Sequence, residues 1–258
     1  MQKNELVIAG RVFKSRLMLG TGKYQTFEIM KDALERSGAE IITVAVRRID
    51  LNNTKEKNLL DYIDTKKYFI LPNTAGCATV DEAVRIARLA KASGLSNWIK
   101  LEVIMDPKYL LPDTLATIEA TKILIKEGFV VLPYTTDDVS VAKALVSAGA
   151  ATVMPGGSPI GSGQGIPNFS RVSVLKEFVS VPIVVDSGIG APSDAAVAME
   201  SGADAVLINT AVALSQNPPI MADAFKNAVI AGRLGYLAGR IAVKQFASAS
   251  SPTEGLVK

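Results

Sequence analysis

Residues 79–104 read TVDEAVRIARLAKASGLSNWIKLEVI, a helix, its stop signal and a buried strand in one stretch. Thr79-Val80-Asp81-Glu82 is a capping-box pattern, whose side chains satisfy the orphan amides of a first helical turn. Downstream, Ala83, Ile86, Ala87 and Ala90 fall on one stripe while Glu82, Arg85, Arg88 and Lys91 lie elsewhere, so the spacing predicts an amphipathic helix over 79–93. Ser93-Gly94 ends it, because glycine accepts the left-handed backbone of a helix stop. Trp98–Ile104 then reads as a strand in which Ile99, Leu101 and Val103 share one face and Lys100 and Glu102 the other.

The same rhythm extends in both directions. Apolar runs at Leu17–Leu19, Ile41–Val46, Tyr68–Leu71, Phe129–Leu132, Thr152–Met154, Ile183–Val185 and Ala205–Ile208 read as further strands, several apolar on both faces as buried parallel strands are. Ser37-Gly38, Glu127-Gly128, Ala148-Gly149 and Ser201-Gly202 close helical stretches just before strands. Eight strands alternating with helices predict a (β/α)₈ TIM barrel of the α/β class. A doubly wound open sheet is the competing architecture; it needs fewer strands, and Gly20-Thr21-Gly22 followed by Lys23-Tyr24 lacks the third glycine of a dinucleotide fingerprint. Leu6–Phe13, with Ala9-Gly10 at a turn, is expected to form a small hairpin within residues 1–16 that caps the N-terminal end of the barrel. One domain is expected over 1–258, with a flexible Ser-rich tail at 247–258.

Composition narrows the chemistry. The 258 residues carry 28 Lys plus Arg against 25 Asp plus Glu, too balanced for a nucleic-acid protein. One cysteine, Cys77, excludes an internal disulfide framework. There is no histidine, which removes Ser-His and Cys-His couples and histidine-ligated zinc or haem. With no metal-ligand cluster and no nucleotide or flavin motif, no metal and no organic cofactor is expected. Neither a targeting segment nor a run long enough to span a membrane is visible, so a cytoplasmic protein, or one in a plastid stroma, is expected.

Function in such a barrel sits at the C-terminal ends of the strands. If Ile99, Leu101 and Val103 meet the helices, Lys100 and Glu102 point into the barrel. A satisfied interior ion pair is the plain reading. The chemical one is a lysine that forms an imine with a carbonyl substrate, its pKa lowered by desolvation and opposed by Glu102. Asp186 ends the seventh strand, either as a cap for the next turn or as a second acid–base group. Late turns at Pro155–Gly163, Ser187-Gly188-Ile189-Gly190 and Asn209-Thr210-Ala211 suit a phosphate cradle. Together they suggest a sugar-phosphate carbonyl substrate. Cys77 reads as packing, Trp98 and Tyr134 as core or wall, and one of Arg47 and Arg48 as an anion contact with the other solvated.

These motifs resemble those of the bacterial and plastid thiazole synthase family. The likeness covers nearly the whole chain: Leu19–Tyr24, Ala45–Arg48, Leu71–Gly76, Ile99–Ile104, Val131–Tyr134, Met154–Gly165 and Leu207–Val212. It implies a TIM barrel that condenses 1-deoxy-D-xylulose 5-phosphate, dehydroglycine (2-iminoacetate) and sulfur into the thiazole phosphate of thiamine. It implies imine formation at Lys100, acid–base work by Glu102 and Asp186, and sugar-phosphate contacts at Gly161, Ser187, Gly188, Asn209 and Thr210. Its implied partners are a ubiquitin-like sulfur carrier protein ending in a thiocarboxylate, an oxidase or lyase that makes the dehydroglycine, and further copies of the chain as a dimer or tetramer. Nucleic acid and membrane are not among them. One departure is visible: Ser187 stands where family members commonly have alanine, which preserves a backbone contact and adds a hydroxyl. The rival readings are another lysine-imine sugar-phosphate barrel, aldolase-like and without a carrier, and a non-catalytic phosphate-binding scaffold.

Overall fold

The computed structural model describes residues 5–48 and 58–251. Leu6–Ile8 (β1) and Arg11–Phe13 (β2) pair as the expected hairpin, with Ala9 and Gly10 both at positive φ in a two-residue turn. Eight parallel strands follow: Leu17–Gly20 (β3), Ile41–Ala45 (β4), Phe69–Asn73 (β5), Trp98–Leu101 (β6), Val130–Thr135 (β7), Met154–Pro155 (β8), Val184–Asp186 (β9) and Ala205–Ile208 (β10). Around the sheet they run β8-β7-β6-β5-β4-β3-β10-β9. Parallel bridges Val153↔Ile183 and Gly156↔Asp186 join β8 to β9 and close the barrel.

Helices cover the outside at Phe27–Ser37 (α1), Val80–Ala92 (α2), Thr114–Lys126 (α3), Val139–Ser147 (α4), Ser170–Phe178 (α5), Pro192–Glu200 (α6), Thr210–Ala213 (α7) and Pro218–Ala238 (α8). α2 starts as its sequence predicts: Thr79 accepts the Glu82 N–H, and Glu82 reaches back to the N–H of Ala78. Gly38, Gly94, Gly128, Gly149 and Gly202 all adopt the left-handed φ expected of helix stops. Between β4 and β5 the described residues form two 3₁₀ turns, Val46–Arg48 and Leu59–Tyr62, where the alternation predicts an α-helix.

Strand parity sorts the core into layers. Leu17, Leu19, Ile42, Val44, Val206 and Ile208 pack outward against the helices, and Ile99, Leu101 and Val103 do so with residues of α2 and α3. Met18, Ile41, Leu71, Trp98, Leu132, Met154, Val184 and Leu207 cluster with Leu6, Ile8 and Phe13 of the hairpin. The hairpin therefore plugs the N-terminal end, with Phe13, Phe69 and Trp98 in edge-on ring contacts. The plug leaves the opposite mouth for function.

The β6 strand stops at Leu101, short of the expected Ile104, for a local reason. The Glu102 N–H donates to Thr74 Oγ1 at 2.8 Å, and the Thr74 hydroxyl donates to the Glu102 carbonyl at 2.7 Å, so a side chain replaces the ladder. Residues 239–251 have no helix or strand and are exposed. Of the expected tail, 252–258 lie outside the described residues, as do residues 1–4 of the N-terminal segment. Among the described residues no helix is long and apolar enough to cross a membrane.

Candidate active site

Alternation along β6 puts Trp98 in the plug, Lys100 in mid-barrel and Glu102 at the mouth. Lys100 Nζ donates to Glu102 Oε1 at 2.9 Å and meets Asp186 Oδ2, from the end of β9, at 2.7 Å. The three side chains are only 6–7% exposed. The contact with Asp186 is an ion pair in which Oδ2 makes no aligned hydrogen bond. Burying such groups costs several kcal/mol per ion before pairing offsets it.

Burial alone pulls Lys100 toward its neutral form, but Asp186 and then Glu102 outweigh it, and the net direction is above lysine's ordinary value. This corrects the expectation of a lysine neutralised by desolvation: the resting group is an ammonium between two carboxyls. Burial also raises Asp186 above the usual carboxylate range, against the pull of Lys100. Asp186 meets Lys100 and also the backbone N–H of Ser187 in the next turn.

Behind Asp186 runs a chain of hydroxyls. Ser187 donates to the Ser158 carbonyl at 2.8 Å, so Tyr134, 3.2 Å away, is the donor to Ser187. Tyr134 is buried, its phenol pushed up to about 12 by that burial, and its ring centroid lies 5.8 Å from Lys100 Nζ. It is core, one of the two expected roles, and does not line the mouth. Ser187 has φ +66, a left-handed conformation rare outside glycine, which turns the chain sharply after Asp186. Its hydroxyl proton is engaged by Ser158.

A cavity of about 1050 Å³ opens above this triad. Lys100, Glu102, Asp186, Gly161, Ser187, Gly188, Asn209 and Thr210 all line it, so these eight candidates share one mouth. Gly188, at φ +74, packs so closely on Ser158 that a Cβ would lie 2.6 Å from its Cα, which locks the loop after β8 to the loop after β9. Asp194 Oδ2 fixes the latter by accepting from Gly190 and Ala191 N–H, each at 2.9 Å. The backbone N–H groups of Gly161 and Gly188 bond no acceptor among the described residues. Asn209, with its amide oriented so that Nδ2 donates to the carbonyls of Gly22 (2.9 Å) and Gly20 (3.2 Å), ties the loop after β3 to β10.

The weaker candidates separate. Arg48 lines the mouth, while Arg47 turns out to the Gly76 carbonyl and Glu82. Cys77 is buried, and that burial raises its thiol above the ordinary value, as packing predicts. Among the described residues no three His, Cys, Asp or Glu side chains come together as metal ligands would.

A family model described as thiazole biosynthesis protein ThiG matches residues 7–252. The chain belongs to the thiazole synthase family. The thiazole synthase of Thermodesulfovibrio yellowstonii is 57% identical over 98% of this chain and 99% of that one, and that of a Geobacillus species (strain WCH70) is 59% identical over 95% and 96%. A crystal structure of the Amycolatopsis orientalis BexX/CysO complex contains a chain that superposes with TM-score 0.82 at 32% identity, covering 94% of this chain and 98% of that one. Membership makes the chain an enzyme of thiamine biosynthesis with a TIM barrel.

Within the thiazole synthase barrel two residues escape sequence reading. Thr74 pins the backbone of Glu102, but a threonine after β5 carries no pattern that marks it. Lys23 lines the mouth beside Gly161 and Thr210, yet in sequence its stretch reads only as an incomplete glycine fingerprint.

Proposed function

We propose that this thiazole synthase joins 1-deoxy-D-xylulose 5-phosphate, dehydroglycine and carrier-borne sulfur into thiazole phosphate through an imine on Lys100. The observation that carries the reading is the buried Lys100–Glu102–Asp186 triad on the floor of a cavity whose rim offers glycine amides. In the first step the ammonium gives its proton to a neighbouring carboxyl, Asp186 being the one raised by burial. The neutral amine adds to the sugar ketone, and the carbinolamine loses water to leave the imine. Removing a proton from the adjacent carbinol carbon shifts the carbonyl one carbon along, with Glu102 or Asp186 carrying that proton. The shifted carbonyl exchanges its oxygen for the sulfur of the carrier thiocarboxylate, and the carrier leaves as a carboxylate. After the imine re-forms at the lysine-bearing carbon, the sulfur adds to the carbon of the dehydroglycine C=N, the resulting amine displaces the Lys100 amine and closes the ring, and the neighbouring carbinol is lost as water. Gly161, Ser187, Gly188, Asn209 and Thr210 hold the phosphate through the loops after β8, β9 and β10.

A ubiquitin-like carrier brings its thiocarboxylate tail to the mouth in this scheme. Met105, Tyr109, Leu111 and Leu115, exposed in and after the segment following β6, offer apolar surface there, and Met105 also lines the cavity. The BexX/CysO neighbour is itself a two-protein complex, which supports a protein partner. Self-association as a dimer or tetramer is supported by Ile220, Ile230 and Leu234, exposed on α8. A separate oxidase or lyase supplies dehydroglycine, and the reaction runs in the cytoplasm or, for a plastid-encoded chain, the stroma.

Reconstitution with the sugar phosphate, dehydroglycine and a thiocarboxylated carrier tests the proposal. Thiazole phosphate is expected from the wild type and not from Lys100→Ala. Turnover of the sugar phosphate without carrier, by carbon–carbon cleavage, would favour the aldolase-like reading instead.

A further inference from the structure

We infer that Lys23 is the cation of the phosphate site, closing over the glycine loops as their charged wall. The inference rests on the phosphorylated substrate proposed above. A methyl group placed on Gly161 would sit 3.3 Å from Lys23 Nζ and 3.6 Å from Thr210 Oγ1. Ammonium and hydroxyl therefore both lie close to the bare Cα of Gly161 at the cavity wall, where a side chain on that residue, at φ +75, would crowd the ammonium.

The backbone is shaped to deliver this side chain. Lys23 has φ +70, a conformation strained for any residue with a Cβ, and such strain persists only where the surroundings impose it. They do so here. Asn209 holds the carbonyls of Gly20 and Gly22, and the Thr21 hydroxyl donates to the Thr43 carbonyl at 2.9 Å. Gly20 also abuts Asn209 so closely that a Cβ would lie 2.6 Å from the Asn209 Cβ. The loop that carries Lys23 is thus held by Asn209, just past β10, and by Thr43 of β4.

Two carboxyls and one ammonium form the cavity floor, so a phosphate dianion entering the mouth meets a floor that does not attract it. Backbone amides and Thr210 supply hydrogen bonds but no net charge, and a charge-assisted bond is about twice as strong as a neutral one. Among the described residues Lys23 has no carboxylate partner to neutralise it.

Calorimetric titration of the whole protein with inorganic phosphate, and with 1-deoxy-D-xylulose 5-phosphate, tests this. Lys23→Met should weaken both at least about tenfold, and Lys23→Arg should stay within about threefold of wild type. Borohydride trapping of unphosphorylated 1-deoxy-D-xylulose on Lys100 should be unchanged in Lys23→Met, which separates lost charge from a damaged site. Lys23→Gly, which removes the cation while relieving the positive φ, should melt no lower than wild type and still bind phosphate weakly. Phosphate binding by Lys23→Met as tight as wild type, or equal loss of the unphosphorylated sugar, would overturn the assignment while leaving the proposed reaction standing. Failure of the wild type to bind either phosphate ligand would instead remove the phosphate reading, and Lys23 with it.

Discussion

The Lys100 ammonium lies 2.7 Å from Asp186 Oδ2, although β6 and β9 are separated by β7 and β8 around the barrel. The contact crosses the barrel interior, and it sets the proton state of the lysine. Lys100 stands above its ordinary value because Asp186 and Glu102 together outweigh burial. Removing Asp186 leaves burial opposed by Glu102 alone, so the lysine pKa must fall. In Asp186→Asn the pH midpoint for borohydride trapping of the sugar should therefore move to lower pH, because the neutral amine appears earlier. Thiazole formation should slow in the same variant for want of a proton carrier. A trapping midpoint that stayed or rose would show that Asp186 does not hold the ammonium.

Thr74→Val keeps the shape of the side chain and deletes the hydroxyl that bonds both backbone groups of Glu102. The stranded Glu102 N–H should cost about 1–3 kcal/mol of stability. Since Glu102 sits over Lys100, the turnover number should fall while KM for the sugar phosphate changes little. Titration of activity and thermal unfolding, run side by side, measure both. Unchanged turnover at lower stability would reduce Thr74 to a purely structural role.

Gly188→Ala drives a Cβ into Ser158 at a residue with φ +74. Overpacking together with left-handed strain predicts a loss of roughly 2–4 kcal/mol. The loops after β8 and β9 separate, so sugar-phosphate affinity should fall further than imine formation at saturating sugar. Denaturant unfolding and a saturation curve check the two halves.

Stability and chemistry should also divide by barrel end. Phe13→Ala opens the aromatic plug and should cost about 3–5 kcal/mol. Below its melting temperature the variant should trap the sugar at the wild-type rate, because the plug lies at the end of the barrel opposite the mouth.

Much of this was legible in sequence for local reasons. Period-two alternation alone turns Lys100 and Glu102 inward, and helix-stop glycines mark Gly38, Gly94, Gly128, Gly149 and Gly202. What escaped depends on closure. The pairing of Lys100 with Asp186 exists only once β8 meets β9, and that distance reverses the direction of the lysine's pKa from the one desolvation suggests. Pro133 hid the extension of β7 to Thr135, since a proline gives no ladder N–H. Thr74 and Lys23 act through a backbone bond and a positive φ, neither of which any residue pattern announces.

In the proposed reaction Lys100 becomes covalently attached to the sugar. Borohydride reduction in the presence of 1-deoxy-D-xylulose 5-phosphate, followed by peptide mass spectrometry, tests it most directly. A reduced adduct on Lys100 and on no other lysine is expected. Protein shown to bind the sugar phosphate yet yielding no adduct at Lys100 would contradict it.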